Sequence, residues 1–364
     1  MPRLTSEQKR RLQAAQHVQE LKLDALLITN LINVRYLTGF TGSNGNLLLY
    51  RDGRALLFTD PRYTVQSKQQ VNCLVRIAKG PLTKVIVEEI ARRRVGRLGF
   101  EPENINLARY EGFSKALPAR TKLIAAPEGL IGKLRMVKDA GEIAEIRHSV
   151  DLNSRALERA LRRLKVGMTE SELAAEIDYQ SRRLGASGPA FDTIVAAGKR
   201  AALPHARPGR TKIGPGMLLI DMGAFSNGYA SDMTRMVHVG PAGAKYRKAY
   251  TAVLEAQLAA IAAVKPGATA DSVDRAARRT LKQFDLERAF IHSTGHGLGL
   301  EIHEPPRLGR TDETPLETGM AITIEPGVYL EGWGGIRIED TVLVTKTGCE
   351  ILTPTPKDLV EIEG

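Results

Sequence analysis

The chain has 364 residues, of which 43% are hydrophobic, so it is long and apolar enough to build two domains with substantial cores. No apolar run is long enough to span a bilayer, and the charged first segment differs from a signal peptide, so we expect no membrane segment. The two cysteines, Cys73 and Cys349, exclude a disulfide framework and favour reduced thiols. These features predict a cytoplasmic protein.

The formal net charge is +11, and it is unevenly distributed. Residues 1–140 contain 24 Lys and Arg against 12 Asp and Glu, whereas residues 141–364 contain 28 against 29. A basic first domain is one way to bind nucleic acid. No nucleic-acid-binding motif accompanies these charges, so we interpret Lys9–Arg11 as part of an exposed helix and Arg92–Arg94 as a helix end. Nucleic acid is therefore not an expected partner.

The first part of the chain predicts a charged amphipathic helix that leads into a strand, over MPRLTSEQKRRLQAAQHVQELKLDALLITN. A polar, glycine-rich stretch near residues 125 to 138 predicts a domain boundary. It runs into a strong helical pattern in which Ile143, Ile146 and Val150 share one face. We therefore expect one domain over residues 1–130 and a second, opened by this helix, over residues 131–364.

Within the second domain, one pattern occurs twice at an interval of 100 residues. LKVGMTESELAAEI and VKPGATADSVDRAA share Lys, Gly and Thr at matching positions, and Thr169 and Thr269 can each cap the helix that follows. Further along, Gly216-Met217 leads to Asp221 much as Gly319-Met320 leads to Glu325. We expect two related α/β halves that each supply two acids to a site between them.

A first predicted hairpin lies in LLIDMGAFSNGYASDMTRMV, where apolar runs flank Ser226-Asn227-Gly228. These three residues tolerate the positive φ of a tight turn. A hairpin around them places Asp221 and Asp232 on neighbouring strands, near one another. His205, in the proline-flanked loop LPHARPGR just before this hairpin, is weak evidence alone, but its loop can face the same cleft.

The segment HSTGHGLGLEIHEPPRL contains two further candidate histidines. Gly295, Gly297 and Gly299 surround His296 and let the backbone approach its neighbours closely, and His303 follows. These features favour functional roles for His296 and His303. A lone histidine is more often a satisfied core or surface residue, and we interpret four others in that way: His17, His148, His238 and His292.

A second predicted hairpin lies in AITIEPGVYLEGWGGIRIEDTVLV. Glu325 and Glu339 are symmetric about Gly332 in its EGWGG turn, so this hairpin also presents two acids. The two-residue period of a strand places Arg337 on the same face as Glu339. We expect Arg337 to support the acids rather than to bind a metal, with a surface ion pair as the alternative.

The four acids of the two hairpins, taken together, indicate a cation-binding site. Each lies beside apolar strand residues, where an ionised carboxylate is costly unless it is paired or binds a metal. Four such acids repel one another strongly, so a multivalent cation is the simplest reason for them to converge. The predicted ligands of a two-metal site are Asp221, Asp232, His296, Glu325 and Glu339.

The segments DMGAFSNGYASDMTR, HSTGHGLGLEIHE, TIEPGVY and GIRIED resemble the proline-specific members of the pita-bread metallopeptidase family, aminopeptidase P and prolidase. The resemblance covers residues 204 to 340 and includes every predicted ligand. YLTGFTGSNG and LLFTDPRYTVQ are similar, more loosely, to the creatinase-like domain that precedes the catalytic domain in these enzymes. The implied fold class is α/β (α+β): a small creatinase-like domain, then a pita-bread catalytic domain with a pseudo-twofold internal duplication.

The resemblance also implies how the predicted ligands are used. Asp221 would chelate one metal, and His296 and Glu325 would bind the other. Asp232 and Glu339 would bridge both. An oxygen-rich ligand set with one imidazole and no thiolate favours Mn(II), with Co(II), Zn(II) or Fe(II) as substitutes.

By the same resemblance, Glu325 would pass a proton from the attacking water to the departing proline nitrogen. His205 and His303 would hydrogen-bond the substrate carbonyl and the tetrahedral intermediate. Arg337 resembles the family arginine near the active site.

The resemblance implies an Xaa-Pro peptidase that acts like aminopeptidase P and removes an amino-terminal residue preceding proline. Prolidase, restricted to Xaa-Pro dipeptides, is the close alternative. The alternative from another class is a non-catalytic peptide- or nucleic-acid-binding module on the same fold. A homodimer is also implied, in which the first domain covers part of the partner's cleft.

Overall fold

The computed structural model describes residues 4–363, which fall into two compact units, one ending at Arg135 and the other beginning at Met136. The first unit contains a mixed sheet in the strand order β4-β3-β2-β1-β5-β6. Its strands are β1 Ala25–Ile28, β2 Gly45–Tyr50, β3 Ala55–Thr59, β4 Leu74–Ile77, β5 Arg97–Phe100 and β6 Lys122–Ala125. The helices in this part of the chain are α1 Ser6–Glu20, α2 Leu31–Thr38, α3 Thr64–Gln70, α4 Leu82–Arg92, α5 Leu107–Ala116 and α6 Leu130–Met136.

Two arginines of α1 differ from the sequence-based expectation. We placed Arg10 and Arg11 on an exposed helix, but both are buried. Arg10 donates to the carbonyl of Tyr36 at 3.2 Å, and Arg11 donates to the carbonyl of Leu37 at 2.8 Å. These carbonyls lie in the last turn of α2, where cations are favoured. The two charges therefore stabilise the first unit internally.

Two expectations drawn from composition concern membrane segments and disulfides. None of the described helices is long and apolar enough to cross a membrane. Cys73 and Cys349 are both free cysteines, as predicted.

The second unit contains long helices in two pairs and several small sheets. The helices are α7 Ala140–Leu161, α8 Glu170–Arg183, α9 Ala244–Ala263 and α10 Ala270–Gln283. The strands are β7 Gly188–Pro189, β8 Ile194–Ala197, β9 Gly216–Met222, β10 Ala224–Ser226, β11 Tyr229–Ala230, β12 Met233–Val239, β13 Gly295–Gly297, β14 Glu304–Leu308, β15 Ala321–Ile324, β16 Gly327–Leu330, β17 Gly334–Arg337, β18 Asp340–Val344, β19 Cys349–Ile351 and β20 Val360–Ile362. The larger sheets have the strand orders β20-β12-β9-β8 and β14-β13-β15-β18-β19.

The predicted internal duplication is present in the backbone. The N–H of Gly167 donates to the carbonyl of Ile213 at 2.8 Å, and the N–H of Gly267 donates to that of Leu316 at the same distance. Each bond ties the loop before a helix, α8 or α10, to a segment that follows that helix. The two halves therefore repeat one helix-pair and sheet arrangement, which confirms the expected pita-bread fold class.

The two predicted helix caps have different outcomes. Thr169 accepts a hydrogen bond from the N–H of Glu172, whose side chain bonds back to Thr169, so α8 begins with a capping box. Thr269 occupies the matching position before α10 but makes no side-chain cap bond. Its hydroxyl donates to Asp271 at 2.5 Å instead, and Ser272 stands where the capping box needs an acid. The second cap prediction was therefore wrong.

The strand β9 has one apolar layer on each side, which decides where its acid points. Leu218 and Ile220 pack in a cluster with residues of α7 and α8. Met217 and Leu219 pack in the other cluster, with residues of α9 and α10. Because side chains alternate along a strand, Asp221 lies on the same side as Met217 and Leu219. The first predicted ligand is thus directed toward the second half of the repeat.

Candidate metal centre and active-site pocket

The first hairpin places two carboxylates on one face. Asn227 and Gly228 have φ values of 48° and 79°, as the predicted tight turn requires. In the pairing of β9 with β12, Asp221 lies opposite Thr234, and Asp232 is two residues before Thr234. The two acids therefore share a face diagonally rather than directly. The hairpin is interrupted near its tip, where β10 and β11 join a separate sheet with β7.

The second hairpin is symmetric about Gly332, as predicted. Strand β16 pairs with β17 from Gly327↔Arg337 to Leu330↔Gly334, and β15 pairs with β18 up to Ile324↔Asp340. Glu325 and Glu339 lie between these two pairings. The register that joins the pairings places these acids opposite one another.

The strand β13 directs the imidazole of His296 toward the carboxylates. Its Nδ1 lies 2.9 Å from the carbonyl of Gly297, which can only accept, so Nδ1 carries the proton. The Nε2 atom then presents its lone pair 3.5 Å from both Asp232 Oδ2 and Glu325 Oε1. Gly295 allows this approach, since a Cβ there would lie 1.9 Å from the carbonyl oxygen of Thr323.

The carboxylates and the imidazole have the features of a cation site. Ligand atoms of Asp232, His296 and Glu339 lie within 4.8 Å of one another. Among the described residues, Asp221 Oδ1 and Glu339 Oε1 are buried without a hydrogen-bond partner. A buried acceptor that lacks a donor costs free energy, which a bound cation would offset. The donor set therefore fits divalent metal ions.

The electrostatics of the acids support the same conclusion. Burial raises the pKa of Asp232 well above its ordinary value, and the charges of Asp221 and Glu325 raise it further. Burial followed by the charge of Asp232 raises the pKa of Glu339 in the same way. Burial also raises the pKa of Glu325, although His296 and Arg337 lower it. Without a cation, these acids are held together against their mutual repulsion.

Arg337 supports the acids through a buried network. It donates to Asp221 at 2.6 Å, to Thr234 Oγ1 at 3.1 Å and to the hydroxyl of Tyr329 at 2.6 Å. Thr234 in turn donates to Glu339 Oε2 at 2.7 Å. The side chain of Arg337 is only 3% exposed, so the alternative of a surface ion pair is wrong. Arg337 thus links a carboxylate of each hairpin.

A cavity of about 840 Å³ opens above the acids. Its lining includes all eight predicted site residues, with His205 and His303 beside the carboxylates, together with Phe191, Ile194, His292, Pro305 and Arg307. The rings of His296 and His303 are 4.4 Å apart, centre to centre. Burial lowers the pKa of His303, and His296 and His205 lower it further. His303 is therefore a neutral hydrogen-bonding group at neutral pH.

Two residues of this cavity's wall and support were not predicted from the sequence. His292, which we interpreted as an ordinary core or surface histidine, lines the cavity and accepts from Tyr329 at 2.9 Å, because its Nδ1 donates to the carbonyl of Ser293. Burial and then the charge of Arg337 lower its pKa to about 4. Tyr329 was detectable in principle, because the register of β16 and β17 places it diagonally across from Arg337.

Comparison with known proteins identifies the family. Residues 144–346 match the model of metallopeptidase family M24, and residues 10–137 match the creatinase/prolidase N-terminal domain. The chain belongs to metallopeptidase family M24. It is therefore a metallopeptidase, as the resemblance implied.

Relatives of the M24 chain cover nearly its whole length. The Xaa-Pro dipeptidase of Pyrococcus furiosus is 36% identical over 94% of this chain and 97% of that protein. A structure of an Xaa-Pro dipeptidase from Bacillus anthracis matches with a TM-score of 0.94 and 35% identity, covering 98% and 100% of the two chains. An X-Pro aminopeptidase from Thermotoga maritima matches with a TM-score of 0.90 and 36% identity, covering 95% and 100%.

Proposed function

We propose that this chain is an Xaa-Pro dipeptidase that hydrolyses the bond between an amino-terminal residue and a carboxy-terminal proline. The dipeptidase names of several relatives support this alternative over the aminopeptidase P-like action that we first expected. The observation that carries the proposal is a positive charge in the same cavity as the acids. Arg307 lines the cavity and has no ion pair among the described residues.

The charge of Arg307 gives a physical reason for a limit on peptide length. A dipeptide ends in a carboxylate next to its scissile bond, and a guanidinium can hold a carboxylate through paired hydrogen bonds. A longer peptide has an uncharged amide at that position and loses this attraction. The apolar side chains of Phe191 and Ile194 line the same cavity and can contact the proline ring, which has no N–H to recognise.

The proposed metal ligands are the five predicted residues, with Asp221, Asp232, His296, Glu325 and Glu339 holding two ions, for which Mn(II) is our first choice. When bound, such ions polarise the scissile carbonyl and lower the pKa of a water molecule. The residues of the chain then supply binding and proton transfer.

Within this proposal, Glu325 takes the proton of the attacking water and delivers it to the leaving proline nitrogen. Its carboxylate can accept the proton once bound cations keep it ionised, and the burial that raises its pKa in the metal-free site favours holding that proton until the nitrogen leaves. His205 and His303 donate hydrogen bonds to the carbonyl oxygen as negative charge develops there. Arg337 holds Asp221 in place without touching substrate.

The proposal is tested by hydrolysis of Ala-Pro and Ala-Pro-Ala by chelated enzyme, before and after Mn(II) is added. We expect metal-dependent cleavage of the dipeptide alone. Cleavage of both peptides would instead favour the aminopeptidase activity named for the Thermotoga maritima relative. If neither peptide were cut with Mn(II), Co(II), Zn(II) or Fe(II), the proposed substrate class would be wrong.

A variant pair tests the role of Arg307. We expect Arg307→Ala to raise KM for Ala-Pro by about tenfold or more, because a charged hydrogen bond to the substrate is lost. Arg310→Ala is the matched control, since Arg310 lies three residues away and faces Glu287 at 3.8 Å. An equal KM in the two variants would remove Arg307 from the explanation of peptide length.

A further inference from the structure

We infer that a second, basic cavity in the catalytic unit binds a small anion that carries two or more phosphate groups. This cavity is an open surface depression with a volume of about 400 Å³, and it lies where the carboxyl-terminal parts of α7 and α8 meet. None of its described lining residues belongs to the cavity above the acids. Its described lining consists of Arg159, Arg162, Arg163, Tyr179, Gln180 and Arg183. We call this set the arginine cavity.

The net positive charge around the arginine cavity is larger than the charge needed to offset the carboxyl-terminal dipoles of the two helices. Residues 151–165 and 176–183 contain seven Lys and Arg against four Asp and Glu, a surplus of three, with Arg155 paired to Asp151. Basic residues in the last turn of a helix are favoured because they offset a partial charge of about −0.5 at its carboxyl end. Two helix ends therefore account for about one positive charge. About two positive charges therefore remain uncompensated within these segments.

The partners of the arginines show which charges are available. Arg162 pairs with Glu158, and Arg183 lies over the ring of Tyr179 and donates to its hydroxyl at 3.3 Å. Arg159 and Arg163 have no ion pair among the described residues. None of the described lining residues is acidic.

The side-chain chemistry of the arginine cavity favours phosphate over other anions. A guanidinium presents planar, paired N–H donors that match phosphate oxygens, and several converging guanidinium groups match several phosphates. The amide of Gln180, a buried residue, adds a polar group that is anchored by a 2.7 Å bond to Glu176. A volume of about 400 Å³ is at the small-molecule end of the range for ligand cavities.

A nucleic acid is a poorer match for this site. Backbone recognition uses a basic groove or stripe that follows the strand, with aromatic groups spaced along it. The arginine cavity is one concave cluster, and residues 141–364 as a whole carry no positive excess. A small multiply phosphorylated molecule fits the observations better.

The experiment measures binding of pyrophosphate and of ATP to the metal-loaded protein by calorimetry, in wild type and in two double variants. Arg163→Ala with Arg183→Ala removes one lining charge from each helical segment. Arg155→Ala with Arg182→Ala is the matched control, because these residues lie on α7 and α8 and do not line the cavity. Both pairs remove two charges, so long-range electrostatics change equally.

We expect wild type and the control pair to bind alike, and the lining pair to bind about a hundredfold more weakly. Each charged hydrogen-bonding partner contributes about tenfold to an equilibrium constant. Binding of both pyrophosphate and ATP would show that the arginine cavity recognises the phosphate groups. Binding of ATP alone would show that it also contacts the nucleoside. If the probes bind at the catalytic metals instead, the lining and control double variants would bind them with equal affinity. That result would overturn the inference.

Two further results would also overturn the inference. If sodium sulfate competed as strongly as pyrophosphate at equal concentration, the cavity would be attracting counter-ions without selectivity. If a single-stranded RNA bound while neither small probe did, the ligand would be a macromolecule of another class.

Discussion

Glu325 combines two properties that a proton carrier in a metallopeptidase needs. Its Oε1 lies 3.5 Å from the imidazole of His296 and accepts a hydrogen bond from Thr323 at 3.2 Å, so its position is fixed. Burial raises its pKa in the metal-free site, whereas bound cations would favour the ionised form that can accept a proton from water.

We expect Glu325→Gln to keep the fold and to lose nearly all turnover, by about a thousandfold or more, because a proton carrier and a ligand charge disappear together. The measurement is kcat for Ala-Pro with saturating Mn(II), with circular dichroism and thermal unfolding as controls for the fold. A kcat near that of the wild type would remove Glu325 from the mechanism.

The raised pKa of Glu339 predicts how the metal-free protein responds to pH. A carboxyl group whose pKa is higher in the folded than in the unfolded chain binds more protons when folded, so stability falls as pH rises above its unfolded value. The loss begins near pH 4.5, the ordinary value for glutamate, and ends above the folded pKa. It amounts to about 1.4 kcal/mol for each unit of raised pKa.

Glu339→Gln removes this penalty while the bond from Thr234 can still be accepted. We expect chelated Glu339→Gln protein to gain stability relative to chelated wild type as pH rises from 4.5 to 8, measured by urea unfolding. A difference between the two proteins that stays constant with pH would contradict the raised pKa.

Among the elements, the two hairpins are tied together by Arg235. Its guanidinium donates to the carboxylate of Asp340 at 2.8 Å and to the carbonyl of Glu339 at 2.5 Å. The hydroxyl of Thr341 donates to the carbonyl of Asp232 at 3.1 Å. The acids therefore meet because the strand ends that carry them are directly bonded.

The hairpins were predictable because their information is local. Turn residues, flanking apolar runs and symmetric acids identified Gly228 and Gly332 as turn positions and placed the carboxylates on neighbouring strands. Thr234 was not predictable in the same way, because its partners Arg337 and Glu339 lie more than 100 residues away and no short-range pattern reports them. The buried positions of Arg10 and Arg11 were missed for the same reason, since their acceptors belong to another helix.

Because β13 approaches β15 closely, we can predict how adding one methyl group at residue 295 affects stability and metal binding. A Cβ at residue 295 meets the Thr323 carbonyl, so Gly295→Ala must displace the strand that carries His296. We expect a loss of about 2 kcal/mol in the free energy of unfolding and at least tenfold weaker Mn(II) binding, measured by urea unfolding and metal titration. Gly214→Ala is the control, because nothing lies within 4 Å of its added Cβ, and it should change neither quantity.

For the molecule as a whole, we propose a homodimer in which the creatinase-like domain covers part of the partner's cleft. The family resemblance of the first domain supports this proposal. We expect light scattering at micromolar concentration to give twice the chain mass of 39.8 kDa. A mass near 39.8 kDa would contradict the dimer and leave the catalytic proposal intact.

The two acidic hairpins also affect the order of folding. Each hairpin closes locally and brings together two acids without an imidazole, whereas the full set requires contacts across more than 100 residues of chain. Such long-range contacts form late, because loop-closure entropy is lost before they compensate for it. With the proposed ligand set, we expect high affinity for divalent ions only after both repeats have come together. Ion binding would then report that the catalytic unit has completed its topology, and we expect an incompletely folded unit to lack peptidase activity.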